Sequence, residues 1–114
     1  MSDHVYLPTK RVRLGERLDY RVRAFNRETN ASLATAIAQI AIYDSAGTAT
    51  LAVTSMTISG TKRIIASYRI TTGTGQTITA AGTYRVIVRF TFGSGATAQV
   101  YELQGNLEVL ANPT

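Results

Sequence analysis

The chain has 114 residues, a length that suits one domain with a single modest core. Hydrophobic residues make up 45% of it, an ordinary share for a globular protein that argues against intrinsic disorder. There is no cysteine, which excludes disulfide scaffolds and thiolate metal sites. The net charge of +5 is uneven, because basic residues crowd the first quarter of the chain. This asymmetry favours an acidic partner, although solvent-facing arginines on half-buried strands give the same pattern.

Residues 1–13 are predicted to form an extended arm, because this stretch is polar and basic and has no sustained periodicity. Pro8 lacks an N–H group, so the segment can pair only at the edge of a sheet. Residues 14–114 are predicted to form a single domain. The basic residues at the end of the arm and just after it are the predicted interaction residues: Lys10, Arg11, Arg13 and Arg17.

The next segments have the pattern of strands. From residue 16 apolar and polar side chains alternate with a period of two, as in a half-buried strand. Residues 26–32 are predicted to be a loop. Residues 35–43 contain alanines that would suit a helix, but their isoleucines favour a strand. Asp44 and Gly47 then occupy the first and last positions that a type I turn prefers.

Four more stretches rich in Thr, Val, Ile and aromatic residues are predicted strands, at 50–59, 63–72, 84–92 and 97–110, with a short one around 76–79. Gly105 interrupts the last of these, which indicates a bulge or a close backbone approach. About seven strands separated by regular turn signals are typical of a β-sandwich or barrel. The predicted inward face includes Leu18, Val22, Ile40, Ile42, Val86, Val88 and Phe90, together with Tyr20, Tyr68, Tyr84 and Tyr101.

The stretch AGTYRVIV at 81–88 resembles the start of a late strand in immunoglobulin-like domains. In such domains a tyrosine ring packs inward and its hydroxyl bonds back across a corner. The resemblance implies that Tyr84 has this role and that Gly82 gives the backbone its freedom there. The stretch IYDSAG at 42–47 is similar to a strand and turn of bacterial and phage immunoglobulin-like modules. Together they imply an immunoglobulin-like β-sandwich of about seven antiparallel strands, whose core is aliphatic and tyrosine-rich because the antibody-type Cys pair and Trp are absent.

The residues that carry chemistry in enzymes are scarce and scattered. His4 is the only histidine and lies in the predicted arm. The seven acidic residues are dispersed, and Asp44 stands alone in its turn, so neither a carboxylate pair nor a calcium site is expected. The glycine-rich stretches lack the Lys-Ser/Thr of a phosphate-binding loop. The sequence therefore predicts a protein that is not an enzyme and has no cofactor.

The resemblance implies a structural protein of a tailed-bacteriophage virion, in capsid decoration or cement or as a head–tail or tail adaptor. Its expected partners are other virion proteins, namely capsid, neck or tail subunits, with the chain forming a homo-oligomer or present in many copies in an assembly, and without nucleic acid or membrane. The first residues show no apolar signal segment, so we expect synthesis in the bacterial host's cytoplasm without a signal peptide. One alternative is a carbohydrate or cell-surface binding module. A second alternative, a nucleic-acid-binding β-barrel, is motivated by the arginines of the first quarter of the chain.

Overall fold

The computed structural model describes residues 7–25, 36–92 and 99–111. These residues contain strands and no helix, and the predicted all-β sandwich is confirmed, with eight strands where the sequence indicated about seven. The strands are β1 (Lys10–Arg13), β2 (Arg17–Phe25), β3 (Ile37–Tyr43), β4 (Ala49–Ser55), β5 (Thr57–Ser59), β6 (Arg63–Thr71), β7 (Gly82–Phe92) and β8 (Gln99–Leu110).

Two sheets form the sandwich. The large sheet has the order β1-β8-β7-β3-β4 and the small sheet has the order β2-β6-β5. Neighbouring strands are antiparallel except for β1 and β8, which run parallel. The chain changes sheets at Met56, which is buried and whose N–H donates to the Ala38 carbonyl at 2.9 Å. The stretch 50–59, predicted as one strand, is therefore two strands in different sheets.

The core lies between the sheets and follows the predicted alternation. Every apolar residue of the predicted inward set is buried except Leu18, which is half-buried and packs against the core. Arg85 and Arg89 alternate with the buried residues of β7 and are exposed, as the pattern requires. The buried predicted residues are Val22, Ile40, Ile42, Val86, Val88 and Phe90.

The structure differs from the predicted arm at residues 10–13. These residues form β1, which pairs in parallel with Leu107–Leu110 at the edge of the large sheet. Val12 explains the difference, because it is an apolar residue between charged ones and is 7% exposed in the core. Residues 1–6 of the predicted arm lie outside the described residues, as does the predicted loop at 26–32.

Tyr101 was wrongly predicted to point into the core, since it is 47% exposed. Its register is as expected, because it pairs with the buried Phe90. It lies near the beginning of β8, however, where its ring contacts the half-buried Phe92 at a centroid distance of 5.7 Å. The alternating pattern placed Tyr101 on the correct side of the strand, but it did not show that the core ends before Tyr101. The short strand expected at 76–79 is likewise reduced to a single bridge between Thr72 and Ile78.

Gly105 marks a close approach and not a bulge. The pairing of β7 with β8 runs without interruption, and Gly105 is directly opposite Val86. A Cβ atom at residue 105 would lie 2.8 Å from the Leu7 Cβ and 2.8 Å from the Tyr20 hydroxyl oxygen. Glycine lets these two side chains pack on the backbone of β8.

Candidate interaction surfaces

Tyr84 and Gly82 form the corner that leads into β7. The Tyr84 ring is 7% exposed, and its hydroxyl donates to the Ala80 carbonyl at 2.6 Å. Burial raises the pKa of Tyr84, with a smaller contribution from the charge of Asp44, so the phenol stays neutral and acts as a donor. Gly82 has a φ of +153°, which L side chains rarely adopt. The pair holds the connection before β7 in place and has a structural role.

The four predicted interaction residues do not share one surface. Lys10, Arg11 and Arg13 belong to β1 at the edge of the large sheet. The Arg11 Nε atom is 2.7 Å from a Glu108 carboxylate oxygen, and its side chain is 71% exposed. Arg13 is exposed opposite Leu110. Arg17 begins β2 in the other sheet and pairs with Thr71.

Arg17 belongs to a larger basic surface that sequence reasoning did not assemble. The outward positions of β2 and β6 bring five arginines and one acid onto the outer side of the small sheet, which we call the basic face. The alternating pattern of β2 in the sequence indicates that its arginines share one face. The arginines of β6 join that face only through the register in which β6 pairs with β2. The basic face consists of Arg17, Arg21, Arg23, Arg63, Arg69 and Asp19.

Asp19 lies beside arginines of the basic face. The Arg69 Nε atom donates to its carboxylate at 2.9 Å, and the Arg21 guanidinium is 4.0 Å away. The hydrogen bond from Arg69, together with the charges of Arg69, Arg21 and Arg17, lowers the pKa of Asp19 against a smaller opposing effect of desolvation. The single carboxylate is thus committed to neighbouring arginines.

The outer face of the large sheet is different, because it exposes apolar side chains. Ile37 and Val100 flank Thr91 in register across three strands and are 54% and 55% exposed. Val53 of the edge strand β4 is also 55% exposed, beside the buried Ala41. We call Ile37, Val53 and Val100 the apolar row; Ile37 and Val100 share one level of the sheet, and Val53 lies further along it, beyond the level of Gln39, Arg89 and Glu102.

Polar contacts lie between and beyond the residues of the apolar row. The Arg89 guanidinium bonds to Glu102 at 2.7 Å across β7 and β8. The Arg85 guanidinium lies 5.3 Å from the centre of the Tyr43 ring. Exposed aliphatic side chains and charged or hydrogen-bonding groups thus alternate along this face.

The described residues also bear on metal sites and membrane spans. They contain no group of three or more His, Cys, Asp or Glu side chains placed to hold a metal ion. Within the same ranges no helix is long and apolar enough to cross a membrane. His4, the only histidine of the sequence, lies outside the described residues.

No family model and no curated protein matches the chain. Among solved structures it is similar to a family 123 glycoside hydrolase from Clostridium perfringens, studied for glycolipid glycan hydrolysis. The TM-score is 0.54 at 9% identity, and the match covers 92% of this chain and 23% of that enzyme. The chain thus spans less than a quarter of the enzyme's length, and the likeness concerns the fold.

Proposed function

We propose that this protein is a non-enzymatic structural component of a bacteriophage virion, acting through protein–protein contacts in capsid decoration or cement or as a head–tail or tail adaptor. The observation that carries the proposal is the apolar row, with three large aliphatic side chains more than half exposed on one sheet face. Burying such side chains contributes roughly 25 cal/mol per Å² of apolar area. Exposed aliphatic side chains on one face of a small domain are available for burial against another subunit.

The virion assignment within this proposal depends on the resemblance at residues 42–47 and 81–88. Both stretches have the local geometry that the resemblance implies. The Gly47 N–H donates to the Asp44 carbonyl at 3.0 Å, and the Asp44 carboxylate accepts from the N–H groups of Ala46 and Thr48. A domain whose turn and corner are held by hydrogen bonds is suited to repeated weak contacts. The combined affinity of such contacts rises with the number of copies on a particle.

The first test is whether the chain is a particle component. Virions are purified on a density gradient from a culture whose phage carries this gene, and the chain is quantified by mass spectrometry against the capsid protein. We expect a copy number in fixed proportion to the capsid protein. Absence of the chain from the purified particles would refute the proposal.

The second test addresses the surface. Ile37→Ser combined with Val100→Ser should leave the melting temperature close to the parent's, because both side chains are already exposed. The same variant should be depleted from particles. Tyr101→Thr is the matched control, since it removes a similarly exposed side chain from outside the apolar row. Equal incorporation of both variants would contradict a role for the row.

A carbohydrate-binding module is the second candidate, favoured by the exposure of Tyr101. The Tyr101 ring is accessible and supported by Phe92, which in turn stacks on Phe90 at a centroid distance of 5.9 Å. An exposed ring held by other aromatics is the kind of platform on which sugars stack. Titration with soluble oligosaccharides, including glycolipid glycans, tests this reading, and Tyr101→Ala should abolish any binding. Absence of binding to every glycan tested would argue against it.

A further inference from the structure

β2 lies at an open edge of the small sheet. It pairs on one side with β6, and no strand in the described part of the chain pairs with its other side. It is nine residues long and contains no proline, so every residue keeps its backbone N–H group. An unpaired edge of this length is a template for one more strand.

The side chains beside this edge are basic. Arg17, Arg21 and Arg23 occupy outward positions of β2, where adjacent positions on one face lie about 6.6–6.8 Å apart. The Arg21 side chain is 67% exposed. Asp19, the one acid among them, is bound by Arg69. A strand added here would place its alternate side chains beside a row of positive charge.

A second copy of this chain is a poor candidate for that strand. In the antiparallel registers centred on Asp19 or Tyr20, pairing β2 with its own copy would bring Arg17 opposite Arg21 or Arg23, and like charges directly opposite each other are destabilising. The described carboxylates are also committed within their own chain and leave no acidic surface to offer. They are Glu16 to the Arg13 N–H, Asp19 to Arg69, Asp44 to the Ala46 and Thr48 N–H groups, Glu102 to Arg89, and Glu108 to Arg11.

A nucleic acid fits the basic face less well than an acidic protein segment does. A polypeptide strand can satisfy the open backbone groups of β2, which a sugar–phosphate chain cannot do in the same register.

We propose that the edge of β2 binds an extended acidic segment of a partner protein as a fourth strand of the small sheet, with alternate carboxylates beside Arg17, Arg21 and Arg23. This inference rests on the proposed function, because the partner segment belongs to another virion protein. Backbone hydrogen bonds supply affinity in such strand addition, and alternate side chains supply specificity. The same arginines reject a second copy and accept the acidic strand, so attraction and repulsion both contribute to the choice of partner.

The test uses the full chain and three capped peptides, followed by NMR of the backbone amides. The first peptide has four Glu-Thr repeats, so that an extended conformation puts all carboxylates on one side. The second has the same composition with the glutamates in one block. The third replaces two threonines of the first with proline, which keeps the charge and removes strand hydrogen bonds. We expect the alternating peptide to bind about threefold or more tightly than the other two and to shift amides of β2 and not those of β7.

Protein variants localise the effect. Arg21→Gln with Arg23→Gln should weaken binding of the alternating peptide about three- to thirtyfold, as expected for two exposed charge contacts. Arg85→Gln with Arg89→Gln removes the same charge from the large sheet and should change binding less than about twofold. Arg21→Lys with Arg23→Lys, which keeps the charge, should restore most of the affinity.

Three results would overturn the inference: equal binding of all three peptides, unchanged binding by the Arg21 and Arg23 variant, or tighter binding of an oligothymidylate of equal charge. The first would indicate diffuse electrostatic attraction, the second a different surface, and the third a nucleic acid partner. These failures are distinct from failure of the proposed function. A chain absent from virions overturns that function whatever the peptides show, whereas failed peptides leave a chain found in virions without this binding mode.

Discussion

Tyr20 and Gly105 form a contact whose energetics can be worked out from the structure. The Tyr20 ring is 2% exposed, and its hydroxyl has no hydrogen-bond partner among the described residues. An unsatisfied buried hydroxyl costs about 1–3 kcal/mol, while the space left by one oxygen atom costs a few tenths of a kcal/mol at roughly 24 cal/mol per Å³. Tyr20→Phe should therefore stabilise the fold by about 1–2 kcal/mol, or by about 4 °C in melting temperature for each kcal/mol.

Gly105→Ala should act in the opposite direction. Its methyl group would lie 2.8 Å from the Tyr20 hydroxyl oxygen and 2.8 Å from the Leu7 Cβ. Overpacking of this kind costs about 1–3 kcal/mol. Tyr20→Phe removes one of the two clashing atoms, so the double variant should recover part of the loss, with a coupling free energy of about 1 kcal/mol. The other clashing atom is the Leu7 Cβ, so Leu7→Gly in the Gly105→Ala background, and not Leu7→Ala, should relieve that contact.

The assay is chemical denaturation of the parent, the two single variants and the double variant, with the free energy of unfolding taken at a common temperature. Tyr101→Phe serves as the control, because it removes a hydroxyl from an exposed ring. Destabilisation by Tyr20→Phe would show that the hydroxyl has a partner and would refute the reasoning. Strict additivity in the cycle would show that the two residues do not touch.

Three more predictions follow from the same geometry. Burial raises the pKa of Tyr20 from 10.0 to about 12, so between these pH values the unfolded chain has lost a proton that the folded chain keeps. The free energy of unfolding should therefore fall as pH rises from 10 to about 12. Denaturation across this pH range should show a shallower fall for Tyr20→Phe. Tyr84→Phe should cost about 0.5–1.5 kcal/mol through the bond to Ala80, and Tyr84→Ala about 3–5 kcal/mol through a cavity, and a Tyr84→Ala variant that melts like the parent would contradict the corner. The Thr72 hydroxyl donates to the Glu16 carbonyl at 2.6 Å and accepts from the Gly15 N–H at 2.9 Å, so Thr72→Val should cost about 1–3 kcal/mol, and an unchanged melting temperature would count against it.

The parts of the fold that sequence could predict are those in which each strand carries its own signal. β2 and β7 alternate over nine and eleven residues, and a shift of one residue would expose their whole apolar set, so their inward faces are strongly specified. The turn at Asp44 is equally local, because its bonds join residues within the same short stretch. These features need no knowledge of the rest of the chain.

The parts that escaped prediction depend on partners distant in sequence. β1 has one apolar residue in four, and its place is decided by pairing with β8 at the other end of the chain. The change of sheet at Met56 has no local marker, since the strand-forming residues continue through it. The basic face was half visible, as the arginines of β2, but Arg69 joins it only because Asp19 lies opposite in the register. Tertiary pairing, and not propensity, places these residues.

The two outer faces differ in the physics by which they would hold a partner. The apolar row contributes through burial, which salt does not weaken, whereas the basic face attracts through charge that is screened over about 8–10 Å near physiological ionic strength. The core lies between the two sheets, so the two outer faces point in opposite directions. Two partners could therefore bind without competing for one surface. Rising salt should therefore release an acidic strand from β2 while contacts at the apolar row persist. Under the proposed function, one neighbour would be joined by burial and another by charge, an arrangement suited to an adaptor between two kinds of subunit.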